Sequence, residues 1–173
     1  MYRTIAIAAS LAAALGVAGA IAAAKPTDPQ IAHIAYTAGV LDIEAAKQAL
    51  DKSKNTDVRA FAQQMVGDHT AVNDQALALV KKLNVTPEDN ATSQSLTKAA
   101  DASRQKFASL DGAAFDKAYV DNEVAYHQAV NDALSKTLIP DSENAELKAL
   151  LQNGLTLFTA HQEHAEQLAK KLN

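Results

Sequence analysis

Asp42, His69, His127 and His161 are the residues whose types and settings could do chemistry in this sequence. Each is a lone polar group in a stripe of apolar residues at helical spacing. Around His69 the stripe reads Val58, Ala62, Met65, His69, Val72, Ala76, Leu79 and Leu83. Around His127 it reads Val120, Val124, His127, Val130 and Leu134, and around His161 Leu151, Gly154, Phe158, His161, Ala165 and Leu168. Asp42 is the only charge in the narrow seam Ile31, Ala35, Ala38, Asp42, Ala45, Ala49. A stripe of this period packs a helix into a bundle, and a polar group inside it is costly unless it finds a partner. A carboxylate with two or three imidazoles on facing helices is a ligand set for one transition metal ion, with iron, zinc, copper and manganese as candidates. The same residues without an ion would form an Asp–His hydrogen-bond network that fixes helix register. The sequence leaves both readings open.

Other signals are weaker. Glu123 and His127 share a helix face at i, i+4, a pair common by chance. His161-Gln162-Glu163-His164 is half of a metal motif without further carboxylates. Met65, one turn before His69, reads as core. There is no Gly-rich phosphate loop, nucleophile elbow or Ser-His-Asp pattern, so no catalytic residue is assigned. The absence of cysteine removes disulfides, thiolate metal sites and a Cys nucleophile. The net charge of −4 is mixed along the chain, and no basic patch is interleaved with aromatics. Nucleic acid is therefore not an expected partner.

The elements that must position these residues are helices: Ala is abundant, Gly and Pro are scarce. Residues 1–24 read as a signal peptide. Arg3 precedes an uncharged run from Ile5, which ends in Ala22-Ala23-Ala24, an A-x-A cleavage pattern, before Lys25. The expected location is the bacterial periplasm or cell envelope, with membrane association only if that run is retained as an anchor. Residues 25–29 form a linker and 30–173 the domain. Helices are predicted over about 30–53, 56–83, 113–137 and onward to 172, with a crossover helix over 93–110. Thr56 is the predicted cap of the second helix, and Ile139-Pro140-Asp141-Ser142 is predicted to stop the third and cap the next. Short, long and short connections in that order define an all-α, ferritin-like four-helix bundle with one long crossover containing an extra helix.

Counting from the turns tests whether the polar residues meet. Asp42 lies 13 residues before Asn55 and His69 lies 14 after it, so the two share a height on antiparallel helices. A crossover helix ~27 Å long would bring the third helix back parallel to the second and His127 level with His69. His161 fits less well: with the third helix ending near 137, it sits ~12 Å from the level of His127 and is level with Tyr119. Either all four residues form one site, or His161 pairs separately with Tyr119. His69-Thr-Ala-Val-Asn-Asp74 and His127-Gln-Ala-Val-Asn-Asp132 also echo each other, which suggests similar surroundings for the two imidazoles.

From Ile31 to Leu168 the chain resembles the bacterial domain of unknown function 4142 family. The matching residues are Ala60-Phe61-Ala62-x-x-Met65-Val66-x-Asp68-His69, Phe115-Asp116-x-x-Tyr119 with His127, and His161 with Ala165. The resemblance implies a ferritin-like fold and a periplasmic or outer-membrane location, without an established activity. Where that family commonly has Glu in the first helix, this chain has Asp42, which keeps the charge and shortens the reach. Ferritin-like di-iron enzymes carry E-x-x-H motifs; Val66 and Phe158 stand three residues before His69 and His161, so a ferroxidase centre is not expected.

Overall fold

The computed structural model describes residues 25–172; the predicted signal peptide lies outside them. Helix α1 spans Asp28–Lys52, with Pro29 in its first turn, where its missing N–H costs nothing. Helix α2, Thr56–Lys82, follows after three residues. Its cap is Asn55 rather than Thr56: Asn55 Oδ1 accepts from the amides of Asp57 at 2.9 Å and Val58 at 3.3 Å. Helix α2 ends where Asn84 takes a left-handed conformation (φ 52°). The amides of Asn84 and Val85 there bond back to Lys81 and Val80, the closing pattern in which Asn substitutes for Gly.

Helix α3, Ala91–Ala108, starts two residues before the predicted point because Asn90 caps it, accepting from Thr92 and Ser93 amides at 3.1 Å each. It lies on the outside, parallel to α1, with Gln48 Nε2 and Lys52 Nζ donating to the carbonyls of Arg104 and Ala108. Glu44 is half-buried and paired with Arg104. Helix α4, Gly112–Ala133, runs antiparallel to α1: Tyr126 Oη donates to Ala38 O at 2.8 Å and Lys52 pairs with Asp111 at 3.3 Å. It is therefore parallel to α2. Helix α5, Ala145–Leu172, runs antiparallel to α2, with Lys171 on Asp57 and Lys82 on Glu146 at opposite ends. This is the expected bundle with a single long crossover.

The end of α4 departs from expectation. The helix does not stop before Pro140 but widens into a π turn at Leu134–Leu138 and continues through Ile139–Asp141. A wide turn displaces the carbonyl that the proline ring would otherwise strike, so the chain stays helical through Pro140. The reversal falls at residues 142–144. There Asn144, not Ser142, caps α5, accepting from Glu146 and Leu147 amides at 2.9 and 3.0 Å. Asp28 accepts from the amides of Glu143 and Asn144, tying this reversal to the start of α1.

Two apolar clusters fill the bundle. One gathers Phe61, Met65, Phe107, Phe115, Tyr119 and Leu168 near the α1–α2 turn; the other gathers Ile31, Ile34, Leu134, Leu147, Leu151 and Phe158 near the α4–α5 turn. Buried polar side chains, including Asp42, His69, Glu123, His127 and His161, form a layer between them. No described helix is long and apolar enough to cross a membrane.

Close approach of α1 and α2 depends on Gly39. A Cβ there would stand 2.3 Å from Asn73 Oδ1, so the buried Asn73 side chain occupies the space a larger residue would need. Gly39→Ala is expected to destabilise by about 1–3 kcal/mol. Gly67, exposed and with nothing within 4 Å of such a Cβ, gives the opposite sign. Gly67→Ala should stabilise by about 0.5–1 kcal/mol through lower unfolded-state entropy. Urea unfolding of the two variants checks both.

Candidate metal centre

The four predicted residues come together. Asp42 on α1, His69 on α2, His127 on α4 and His161 on α5 are all buried in the polar layer. Asp42 Oδ2 lies 3.2 Å from His69 Nε2 and 3.5 Å from His127 Nε2. The three imidazole rings have centroids 5.3–5.7 Å apart, and one nitrogen from each lies within 4.8 Å of the others. The shorter side chain of Asp42 therefore reaches the imidazoles.

The separate His161–Tyr119 pair is not formed. The Tyr119 ring stacks on Phe115 and its hydroxyl has no hydrogen-bond partner, while His161 Nε2 meets Asp68 Oδ2 at 2.9 Å. The mismatch in height came from ending α4 too early. Measured from Glu143 in the true reversal, His127 lies 16 residues back and His161 18 residues on, an offset of only about 3 Å.

Hydrogen bonds set which ring atoms face inward. His127 Nδ1 donates to the Glu123 carbonyl at 3.0 Å, leaving Nε2 with its lone pair. His161 Nε2 donates to Asp68, leaving Nδ1. Backbone carbonyl and carboxylate partners of this kind orient metal-binding imidazoles and raise their basicity. Phe158 lies flat against His69, 4.6 Å between centroids and 13° from parallel, and holds the third ring in place.

The inward atoms are orphaned. Both Asp42 oxygens, both His69 nitrogens, His127 Nε2, His161 Nδ1 and Glu123 Oε2 are buried without a hydrogen bond. A network built only for architecture satisfies its own atoms. A transition metal ion would satisfy these: ligand atoms at roughly 2.0–2.1 Å from one ion stand about 2.9 Å apart when cis in a square plane, about 3.3 Å in a tetrahedron and about 4.1 Å when trans. The separations of 3.2 and 3.5 Å from Asp42 Oδ2 to the two imidazole nitrogens fall within that range.

Burial also fixes the charge state without an ion. It raises the Asp42 carboxyl to about 8. Glu123 is pushed well above the carboxylate range, first by burial and then by the neighbouring Asp42 charge. Burial lowers His69, and His127 and His161 add to the effect. Burial lowers His127 to about 4 and also lowers His161. The ion-free cluster is thus neutral near pH 7, with the acids protonated and the imidazoles uncharged. A dication would displace acid protons rather than meet a positive site.

Sequence reasoning undervalued two residues. Glu123 joins Asp42 and His127 in a second buried group of ligand atoms within 4.8 Å of one another; its i, i+4 spacing from His127 was the available signal. Asp68 precedes His69 and so projects off the apolar stripe, toward α5, where it meets His161. Asp68→Asn keeps the fold, since this side chain is 37% exposed. It is expected to weaken metal affinity by about 10–100-fold through loss of the charged partner of His161, as read by competition with a chromogenic chelator. The repeated Asn73 and Asn131 are both buried one turn beyond their histidines. Asn131 Nδ2 donates to the Phe158 carbonyl and to Gln162, pinning α4 to α5 beside the site.

A helical bundle with a buried His/Asp cluster able to hold a metal ion defines the class. The family described as Domain of unknown function (DUF4142) matches residues 13–168, and the chain belongs to it. No curated protein matches the chain. A solved structure described as "CopM in the Cu(II)-bound form" is similar in fold, with a TM-score of 0.66 at 13% identity, covering 87% of this chain and 100% of that one.

Proposed function

We propose that this chain is a copper-binding protein of the bacterial cell envelope that holds one Cu(II) ion through His69, His127, His161 and Asp42. The observation that carries the reading is the set of orphaned buried donor atoms, three imidazoles and a carboxylate, converging from four helices. Imidazole-rich sites suit copper, zinc and iron, and among divalent ions at one site copper binds most tightly. The fold is shared with a protein seen with Cu(II) bound, which supports copper as the first ion to test. When bound, the ion would supply the positive charge that the buried carboxyls lack.

This chain's own residues bind and orient. Glu123 O and Asp68 fix the two ring tautomers, Phe158 fixes His69, and Asn131 holds α4 against α5. Closed packing on all sides suits retention of an ion more than turnover of a substrate, so the role proposed is sequestration. The envelope location rests on the A-x-A pattern at residues 22–24.

Titration calorimetry with Cu(II), Zn(II), Fe(II) and Mn(II) in two buffers of different ionisation enthalpy tests the reading. About one equivalent of copper should bind more tightly than the others, with about one proton released at pH 7 from Asp42. Absence of a saturable copper isotherm would remove the proposal.

A further inference from the structure

We propose that the ion reaches the buried centre through a solvent-facing capture site at the seam of α2 and α5, formed by His164 and Asp68 and joined to the centre by His161. This route presupposes the copper reading above: a centre closed on all sides must still be filled. The side chains of Asp42 and His161 are 0% exposed, that of His127 1% and that of His69 4%. The two apolar clusters lie on either side of the polar layer. A divalent ion crossing either of them would lose its water with no ligand to replace it, a severe desolvation cost. A route lined by donor atoms avoids that cost.

His161 joins the inside to the outside. Its Nδ1 is orphaned in the centre, and its Nε2 donates to Asp68 Oδ2 at 2.9 Å. Asp68 is 37% exposed, so a side chain that solvent reaches is bonded directly to a ligand of the centre. The other two imidazoles have no such link. His127 commits its second nitrogen to the Glu123 carbonyl within α4, and neither nitrogen of His69 has a hydrogen-bond partner.

Asp68 belongs to an ordered surface row. Gln64 Nε2 donates to Asp68 Oδ2 at 3.3 Å, which leaves Gln64 Oε1 to accept from His164 Nδ1 at 3.1 Å. With Nδ1 spent as a donor, His164 keeps its lone pair on Nε2. His164 is exposed, and its ring meets that of buried Phe61 edge-on at 5.1 Å, so the imidazole is held in place before an ion arrives. An imidazole and a carboxylate are the donor types of the buried centre itself. A Cu(II) ion that still carries water binds first at His164 and Asp68. The His161 ring then turns to take it from Asp68 and returns with it to Asp42, His69 and His127. The i, i+3 spacing places both histidines on the side of α5 that faces α2. In the run His161-Gln162-Glu163-His164 the outer imidazole captures and the inner one delivers.

The other approach is an apolar groove bordered by Val72, Ala133 and Leu151, which ends at Phe158 behind His69. Its aliphatic wall offers an ion no ligand. Stopped-flow mixing of the metal-free full-length protein with Cu(II) separates the two routes, read by quenching of tyrosine fluorescence in a chain without Trp. A group used only in transit stabilises the passage state and not the bound state, so it changes association and dissociation rates by the same factor. His164→Ala should therefore slow both by about tenfold or more and move the Kd by no more than about twofold. Asp68→Asn should slow association by a similar factor besides weakening binding. Ala133→Trp, at an exposed position on the groove, should leave the association rate at the parent value. Parent-like association in His164→Ala, with copper still bound, would overturn the route alone. So would slowed uptake in Ala133→Trp. A parent that binds no copper at equilibrium would instead overturn the sequestration reading, and the route with it.

Discussion

Replacing His127 with alanine is expected to reduce copper affinity by about 100-fold or more, equivalent to at least about 2.7 kcal/mol. His127 is the hinge of the site: it belongs both to the three-imidazole group and to the group it forms with Asp42 and Glu123. Its inward Nε2 has no hydrogen-bond partner, and its Nδ1 is already committed to the Glu123 carbonyl. The variant should stay helical, because Val120 and Leu134 still bury the flanking turns of α4 and the π turn. Loss of the buried ring costs stability of its own, about 2–4 kcal/mol by analogy with other core truncations. The control is His33→Ala, at a half-buried histidine on α1 beside Asp89. It should leave copper affinity unchanged. Equal loss in both variants would mean that the polar layer is not the site.

The second large effect is on pH dependence. In the ion-free protein the three seam histidines have lowered pKa values, His127 reaching about 4. The unfolded chain takes up their protons first, so stability falls as pH drops below about 6.5. Asp42, raised to about 8, and Glu123 act the other way. They keep protons that the unfolded chain has already lost, so stability also falls as pH rises from about 6.5 toward 8. Below about 6.5 the histidines and the acids oppose each other; above about 7 the histidines are largely neutral in both states and the acid protons dominate. Urea unfolding of the metal-free protein from about pH 7 to 8 should therefore show a steady loss of stability. Saturating copper should remove the alkaline decline, because the bound ion takes the place of the acid protons. A profile that keeps rising through pH 8 without metal would contradict the protonated state of Asp42.

Most of the fold was legible because the signals were local. Asn55, Asn84 and the Asp111-Gly112 step break the helical period, and the apolar stripes between them assign each buried face. The meeting of Asp42 with His69 followed from counting across one tight turn. His161 was harder, since its height depends on where α4 ends, and Pro140 reads as a stop in any sequence pattern. The π turn that accommodates it is a tertiary solution, stabilised by burial of Leu134 and Leu138. Glu123 shares a helix face with His127 at i, i+4, but the same spacing is common in solvated pairs, so the pattern did not mark it as buried.

The central claim is that the polar layer holds one metal ion. Elemental analysis of protein purified without a metal-binding tag, beside a His69→Ala/His127→Ala variant shown to be helical by circular dichroism, tests it most directly. The account predicts about one equivalent of copper in the parent after reconstitution and none in the variant. Equal metal content in the two proteins, or none in the parent after exposure to copper, zinc, iron and manganese, would contradict it. The Asp–His layer would then be architecture alone.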